Sequence, residues 1–567
     1  MAVFYRVEQR AGRWQFRTPA GKPFFSAGVC CVTEGATAGT YRPEAPEYAS
    51  FRHYRNDREW AEAAAGRLRA WNFNTIGGWS SEKVRHRGLP YTVVLHLGTY
   101  VEGGIWGDLF APTAERAFDD AARAQVRPLA NDPDLLGWFS DNELGWWDET
   151  HFIFTLQQPE RSATRRTLID LLRKHYANDF DRLRRDFDTG AVRRFDDLAQ
   201  VIRVPAADGG RSAAVMDAFT EQLARRYYRL AQAAIRRYDR NHLILGDRYA
   251  QWYPAAVARA AGPYVDVIST NMGATWKNGA ISRFFLERLH RLTGRPVLIS
   301  EYYFAAMENR SGNKNSSGGF PTVATQKERA ESVRRNLTEL ASLPYVVGAH
   351  WFQYTDEPTL GRKDGEDYNM GLVDIADRPY ERLTAVMSEV QRRIPGLRER
   401  SIGSASRRSD RSRMAVAPPR VEEGLRYWDV RAAYLPPVTP SPFGDLYACR
   451  TAKTLYLGVH FADWADTKSY PDGKMPSAER TRWEIRWAGK QVTLRFPLER
   501  PTDDVTDDPS VRVCHTEQGA TTFTAILRIV LPETQGTGKG SPLPLESELI
   551  RHGEAERVRW KTVLRPG

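Results

Sequence analysis

The 567-residue chain is poor in cysteine, with only Cys30, Cys31, Cys449 and Cys514. Four thiols so placed make neither a disulfide framework nor a metal set. Cys30 and Cys31 are adjacent in an apolar stretch and read as small core residues, while a Cys449–Cys514 pair stays open. No apolar run is long enough to span a bilayer, and Met1-Ala2-Val3-Phe4-Tyr5-Arg6-Val7 lacks a basic stretch followed by an apolar one. The chain as it stands reads as cytoplasmic, or as secreted or periplasmic where a signal has been trimmed, with no membrane partner. Zinc-finger spacings and a compact base-reading basic helix are also missing, which excludes nucleic acid as a main partner. The net charge of +11 does not alter this. The arginines, as in Arg165-Arg166, Arg184-Arg185 and Arg225-Arg226, alternate with acids along helices and read as solvated faces.

What is present is ample material for burial: 41% hydrophobic residues, 11% aromatic, and sixteen tryptophans. A globular protein of two or three domains follows. Eight apolar runs read as buried strands, at Phe24–Val29, Trp71–Gly77, Tyr91–Leu97, Asp134–Phe139, His242–Gly246, Val265–Ser269, Pro296–Ser300 and Val346–Phe352. Helical periodicity separates most of them, at about 57–70, 150–240, 280–293 and 325–342. Eight near-continuous apolar strands alternating with helices predict an α/β fold, a closed (β/α)8 barrel, over residues 1–395 with a short N-terminal β-hairpin. Residues 396–420 are small, polar and charged and read as a linker. Residues 421–567 alternate in short runs with turns between them, which predicts a C-terminal all-β sandwich. Phe461-Ala462-Asp463-Trp464 and Trp483–Trp487 offer it an aromatic platform of the carbohydrate-binding-module kind, with a purely structural domain as the alternative.

Two apolar runs end abruptly in a carboxylate: Leu135–Phe139 runs into Ser140-Asp141-Asn142-Glu143, and Pro296–Ser300 into Glu301. Barrel active sites lie at the C-terminal strand ends, so both glutamates are expected at one mouth. Two carboxylates in an aromatic cleft suit glycoside hydrolysis, one protonated to donate to the leaving oxygen, the other ionised. Glu143, between Trp138, Phe139, Trp146 and Trp147, takes the acid/base role. Glu301, followed by Tyr302 and Tyr303, takes the nucleophile role, with a tyrosine hydroxyl to keep it ionised. Neither a cofactor nor a metal is implied. The polar loop Asn309–Gly319 is a candidate lid.

These residues resemble the clan-A retaining glycoside hydrolases, within them the β-agarase-like group related to β-galactosidases. The matching positions are Asn142-Glu143, Glu301, Gly348-Ala349-His350-Trp351-Phe352-Gln353-Tyr354-Thr355-Asp356-Glu357-Pro358, Gly361-Arg362, Asp364-Gly365-Glu366 and Asn369–Asp374. Earlier echoes are Phe73–Trp79 and Gly246-Asp247-Arg248, so the resemblance covers residues 20–390. It implies a retaining double displacement on a carbohydrate substrate, a β-linked galactose-containing chain, with Asn142 on the sugar 2-hydroxyl and Trp351 as a subsite floor. Asn74, Trp79, Arg248, Asn271, His350, Gln353, Asp356 and Glu357 are the implied hydroxyl or ring contacts. An exo-β-galactosidase, another clan-A glycosidase, and a catalytically silent polysaccharide-binding barrel are the alternative readings. One departure is that no tyrosine follows the sixth strand. Asn271, Tyr302 or Tyr303 must make its hydrogen bond, or the substrate differs from the usual galactan.

Overall fold

The computed structural model describes residues 4–564, apart from 147–149, 205–210, 251, 318–319, 405–414, 440–441, 452, 464–469, 471–472, 474–479, 497–507, 519–521, 532–542 and 552–555. Its centre is an eight-stranded parallel sheet: β1 (Ser26–Val29), β2 (Thr75–Ile76), β3 (Tyr91–Val94), β4 (Leu135–Phe139), β5 (Leu243–Ile244), β6 (Ile268–Thr270), β7 (Val297–Tyr302) and β8 (Val346–Trp351). Apart from β5 and β6, each strand pairs with its sequence neighbours, and β8 pairs with β1, through Gly348–Ser26 to Trp351–Val29. The β5–β6 seam closes through a bridge between Tyr249 and Thr270, with Tyr249 N–H donating to Ser269 at 3.0 Å and Asp266 N–H to Ile244 at 2.9 Å. The sheet is therefore curled into the expected barrel.

Leu136, Leu245, Val267, Leu298 and Val347 pack with Tyr5 and Phe16 of a three-stranded antiparallel sheet (Arg6–Arg10, Arg13–Arg17, Pro23–Phe24). This N-terminal sheet plugs the barrel at the end opposite the strands' C-termini. The outer layer includes helices Asp57–Ala70, Pro112–Gln125, Arg283–Thr293 and Gln326–Ser342. Sequence-local caps fix their starts: Asn56 accepts from Glu59 N–H, and Thr325 with Glu328 forms a capping box. Between β4 and β5 the helices Thr150–Leu156, Ala163–His175, Phe180–Asp186 and the first turns of Arg211–Tyr238 bury a separate core around Phe152, Leu168, Leu172 and Phe219.

The helix Glu381–Ser404 runs on through Pro395, and residues 405–414 of the expected linker lie outside the described residues. Two sheets then face one another, one of six strands between Ala415 and Val530 and one of four strands between Thr481 and Leu564. Phe461, Trp483 and Trp487 are at most 3% exposed and fill the core between them. The aromatic platform expected of these residues is thus internal packing, and Trp464 lies outside the described residues. All four cysteines are free, so Cys449 and Cys514 do not pair. Among the described residues no helix is long and apolar enough to cross a membrane.

Candidate active site

The loops after the strands' C-terminal ends enclose a cleft of about 850 Å3, and Glu143 and Glu301 both line it. Glu301 sits near the end of β7 and is 8% exposed, whereas Glu143 stands exposed four residues beyond β4. Their connection runs through three side chains. Asn271 donates from Nδ2 to Glu143 Oε1 at 2.8 Å and to Asn142 Oδ1 at 3.1 Å. Arg248 donates from Nε to the same Asn142 oxygen at 2.8 Å, and its Nη2 pairs with Glu301.

The donor and acceptor sides of this chain are fixed from below. Ser300 Oγ donates to Asn271 Oδ1 at 2.7 Å, so the Asn271 amide must present its amino group upward. Asn142, with its oxygen accepting twice, leaves its amino group for whatever occupies the cleft it lines. Arg248 is fully buried, its guanidinium 5.0 Å from the Phe139 ring and 5.5 Å from the Trp79 ring. Gly78 makes room for it, since a Cβ there would lie 2.7 Å from Arg248 Nη1.

Five non-glycine residues at these strand ends have left-handed backbones: Cys31 (φ 53°), Trp79 (φ 66°), His96 (φ 57°), Glu143 (φ 50°) and Arg248 (φ 55°). Each such residue costs on the order of 1 kcal/mol or more, and such strain gathers where side chains must be aimed. The Glu143 amide is held by the Asp247 and Arg248 carbonyls, both at 3.3 Å.

Burial raises the Glu301 carboxyl, the Arg248 charge opposes this, and the Glu143 charge adds to it; the outcome is a pKa pushed up to about 7. Burial was expected to fall on Glu143, but it falls on Glu301. Trp138 does not surround Glu143, since its indole points into the helix layer and donates to Asp239 at 2.6 Å. Trp146 donates to Asp247 at 2.8 Å, and Trp147 lies outside the described residues. Nor does a tyrosine hydroxyl hold Glu301 ionised: Tyr302 Oη is buried with no partner among the described residues, and the cation is Arg248.

No protein-family model matches the chain. It is 28% identical over 351 residues to β-agarase B of Vibrio sp. (strain JT0107), covering 57% of this chain and 35% of that one. With β-agarase A of the same strain it shares 26% over 496 residues, 72% of this chain and 48% of that one. The chain thus spans at most about half the length of these curated relatives. A solved exo-β-agarase superposes with a TM-score of 0.59 at 22% identity, over 70% of this chain and 66% of that one. A solved agarase, AgWH50C, gives a TM-score of 0.58 at 24% identity, over 70% and 65%. By sequence and fold the chain is β-agarase-like.

In this β-agarase-like cleft the structure gathers Asn142, Glu143, Glu301, Trp79, Asn271, Tyr303, Gln353, Asp356 and Glu357, with Arg248 directly behind. Four expected contacts lie elsewhere: Tyr302, with its buried hydroxyl, and Asn74, His350 and Trp351. Asn74 accepts from Ala27 N–H at 2.8 Å and donates to the Phe25 carbonyl at 2.9 Å, tying β1 to β2. His350 is buried against Ser26 Oγ at 2.8 Å, its charged form disfavoured by burial, and a Cβ at Gly28 would strike its ring at 2.4 Å. Trp351 is fully buried, donates to the Met370 carbonyl at 3.0 Å and packs edge-on to Tyr302, so it is no subsite floor here. Asp356 touches the cleft but serves the loop, accepting from Ser311, Tyr380 and the Gly371 amide at 2.6–2.8 Å.

Of the expected lid, residues 309–317 are pinned rather than free, and 318–319 lie outside the described residues. Ser311, Asn313 and Asn315 turn inward, and Asn313 donates to the Glu357 and Pro358 carbonyls at 3.1 and 3.2 Å, while Asn315 bonds both Ala306 and Asn369. Glu47, Trp252, Phe320, Phe352, Arg362 and Glu366 also line the cleft. Burial raises the Glu357 and Glu366 carboxyls despite Arg362 beside them; the Glu366 charge adds to the rise at Glu357, and the Asp364 and Glu143 charges add to it at Glu366. Of these lining residues only Phe352, Arg362 and Glu366 carried a signal in the sequence, all three among the matching positions that follow Gly348. At the plugged end of the barrel His86, Asp132 and Asp134 come within 4.8 Å of one another, but Tyr91 Oη and the Asp134 amide already occupy the Asp132 oxygens.

Proposed function

We propose that the chain is a retaining glycoside hydrolase acting on β-linked, galactose-containing chains of the agar type. The observation that carries the reading is the continuous Glu143–Asn271–Asn142–Arg248–Glu301 connection at the barrel mouth. Glu301, ionised beside Arg248, attacks the anomeric carbon as Glu143 passes its proton to the departing glycosidic oxygen. A glycosyl-enzyme ester forms and the aglycone leaves. Glu143, now a carboxylate open to solvent, takes a proton from water, which adds to the same carbon and frees Glu301. The Asn142 amino group meets the 2-hydroxyl, a contact that tightens as charge develops on the ring. Trp79, Trp252, Tyr303, Phe320 and Phe352 supply the apolar faces on which sugar rings stack.

The similarity to β-agarases A and B supports the agar-type substrate. The test is Glu301→Gln assayed on agarose oligosaccharides. Turnover should fall below detection while oligosaccharide binding, measured by calorimetry, persists. Hydrolysis at the wild-type rate would show that Glu301 is not the nucleophile, and binding without turnover in the wild type would favour a silent barrel.

A further inference from the structure

The wall of the cleft beside β5 is made by Ala250 and Trp252, and the Trp252 ring also meets the other domain. Arg551 reaches across from the C-terminal sandwich and places its guanidinium 5.5 Å from the centre of the Trp252 ring. Arg551 is 5% exposed, so this contact is screened from water, where a cation–π contact is at its strongest. Arg551 is itself oriented: Asp463 Oδ1 lies 3.7 Å from its Nε and Glu556 Oε2 3.5 Å from its Nη1, and Glu556 also pairs with Arg288 of the barrel at 2.5 Å.

The indole has no other anchor of comparable specificity. Its Nε1 is buried and has no hydrogen-bond partner among the described residues. The ring leans on Tyr253, stacked at 6.4 Å, and Tyr253 Oη donates to the Phe285 carbonyl at 2.6 Å. Phe285 belongs to the helix Arg283–Thr293, whose start is held by Asp445 of the sandwich through Ser282 Oγ and the Arg283 amide, both at 2.7 Å. Both of these contacts therefore lead into the C-terminal domain, while the rest of the ring's packing is against the barrel core.

We propose that Arg551 is a positioning residue for the cleft: the C-terminal sandwich, through Arg551, holds Trp252 as a wall and thereby sets affinity for the sugar units that reach that wall. The substrate part of this statement rests on the proposed function; the positioning part does not. The sandwich thus acts on substrate from behind the cleft, without an aromatic platform of its own.

The test uses the full chain with Arg551→Met, Arg551→Lys and Trp252→Phe, assayed on an agarose oligosaccharide and on a short aryl β-galactoside. A second readout is the 19F NMR spectrum of 5-fluorotryptophan-labelled protein, in which the Trp252 resonance is the one lost in Trp252→Phe. Arg551→Met should raise KM for the oligosaccharide roughly three- to thirtyfold, the span of a cation–π contact from exposed to screened, with kcat and the aryl glycoside kinetics unchanged. Trp252→Phe, which leaves the Arg551 ion pairs intact, should also raise KM for the oligosaccharide, and Arg551→Lys should recover part of the loss seen in Arg551→Met. The Trp252 resonance should move in Arg551→Met and move back toward its position in Arg551→Lys. An unmoved resonance overturns the proposal, as does an unchanged KM in Trp252→Phe or an equal loss on both substrates. If the wild type hydrolyses neither substrate, the proposed function fails and the resonance alone decides the positioning.

Discussion

Arg248 and Glu301 form a buried ion pair at the barrel mouth, and the same guanidinium holds Asn142 through its Nε. One side chain therefore orients both the expected nucleophile and the amide beside the expected acid/base. Removing it leaves a carboxyl in a dry site with no cation, a loss that costs about 3–5 kcal/mol when a buried pair is broken. Arg248→Met should lower kcat/KM on agarose oligosaccharides about 100-fold or more, because Glu301 and Asn142 lose their common support. Arg248→Lys, with one donor group and no fork, should recover little of it. Steady-state kinetics within twofold of wild type, by about 0.4 kcal/mol in transition-state terms, would remove Arg248 from the account.

The pH dependence follows from the burial of Glu301. A nucleophile must be ionised, and burial outweighs Arg248 so that ionisation occurs near pH 7 rather than near 4.5. The raised pKa makes the active form the high-pH one, lost as pH falls through about 7. The acid limb of kcat/KM should bend there, and in Arg248→Met, which lacks the charge that lowers it, the bend should move to higher pH. Pre-steady-state or steady-state profiles read the limb directly. A limb that bends near pH 4.5 would mean that Glu301 does not titrate as the nucleophile.

The eight barrel strands were legible because strands covered on both faces are apolar almost without interruption, as in Val297–Ile299 and Val346–Val347. Glu143 and Glu301 were legible as charges that end such runs. What could not be read is which way a residue faces once the strand has ended. Trp351 and Trp79 are both tryptophans near strand ends, yet Trp351 is fully buried under the Met370 carbonyl while Trp79 lines the cleft. The burial of Glu301 and the exposure of Glu143 depend on loops from distant parts of the chain. Arg551 on Trp252 joins residues about 300 positions apart, and no periodicity or spacing records such a contact. Asn309–Gly319 has the composition of a free loop, but its inward side chains find backbone partners in the Glu357–Asn369 segment.

One point at which the sandwich is fastened to the barrel is Asp445. This fully buried carboxyl accepts from Ser282 Oγ, from the Arg283 and Phe284 amides and from Tyr447 Oη, at 2.7–3.2 Å. It thus works as the N-terminal cap of a helix in the other domain. Asp445→Ala would leave these donors unsatisfied, at a cost of about 2 kcal/mol. Urea or thermal unfolding should show the lowered stability, and the KM for long oligosaccharides should rise with it as the Phe285–Tyr253–Trp252 stack loosens. An unfolding midpoint equal to that of the wild type would mean that the cap is not a fastening point.

The stereochemistry of the first product tests the two-carboxylate account most directly. With Glu301 as nucleophile and Glu143 as acid/base, two displacements return the anomeric carbon to its starting configuration. Proton NMR spectra recorded within the first turnovers of an agarose oligosaccharide should show the β-anomer of the new reducing end before mutarotation brings in the α-anomer. First appearance of the α-anomer would mean that water attacks directly, and the double displacement through Glu301 would be wrong.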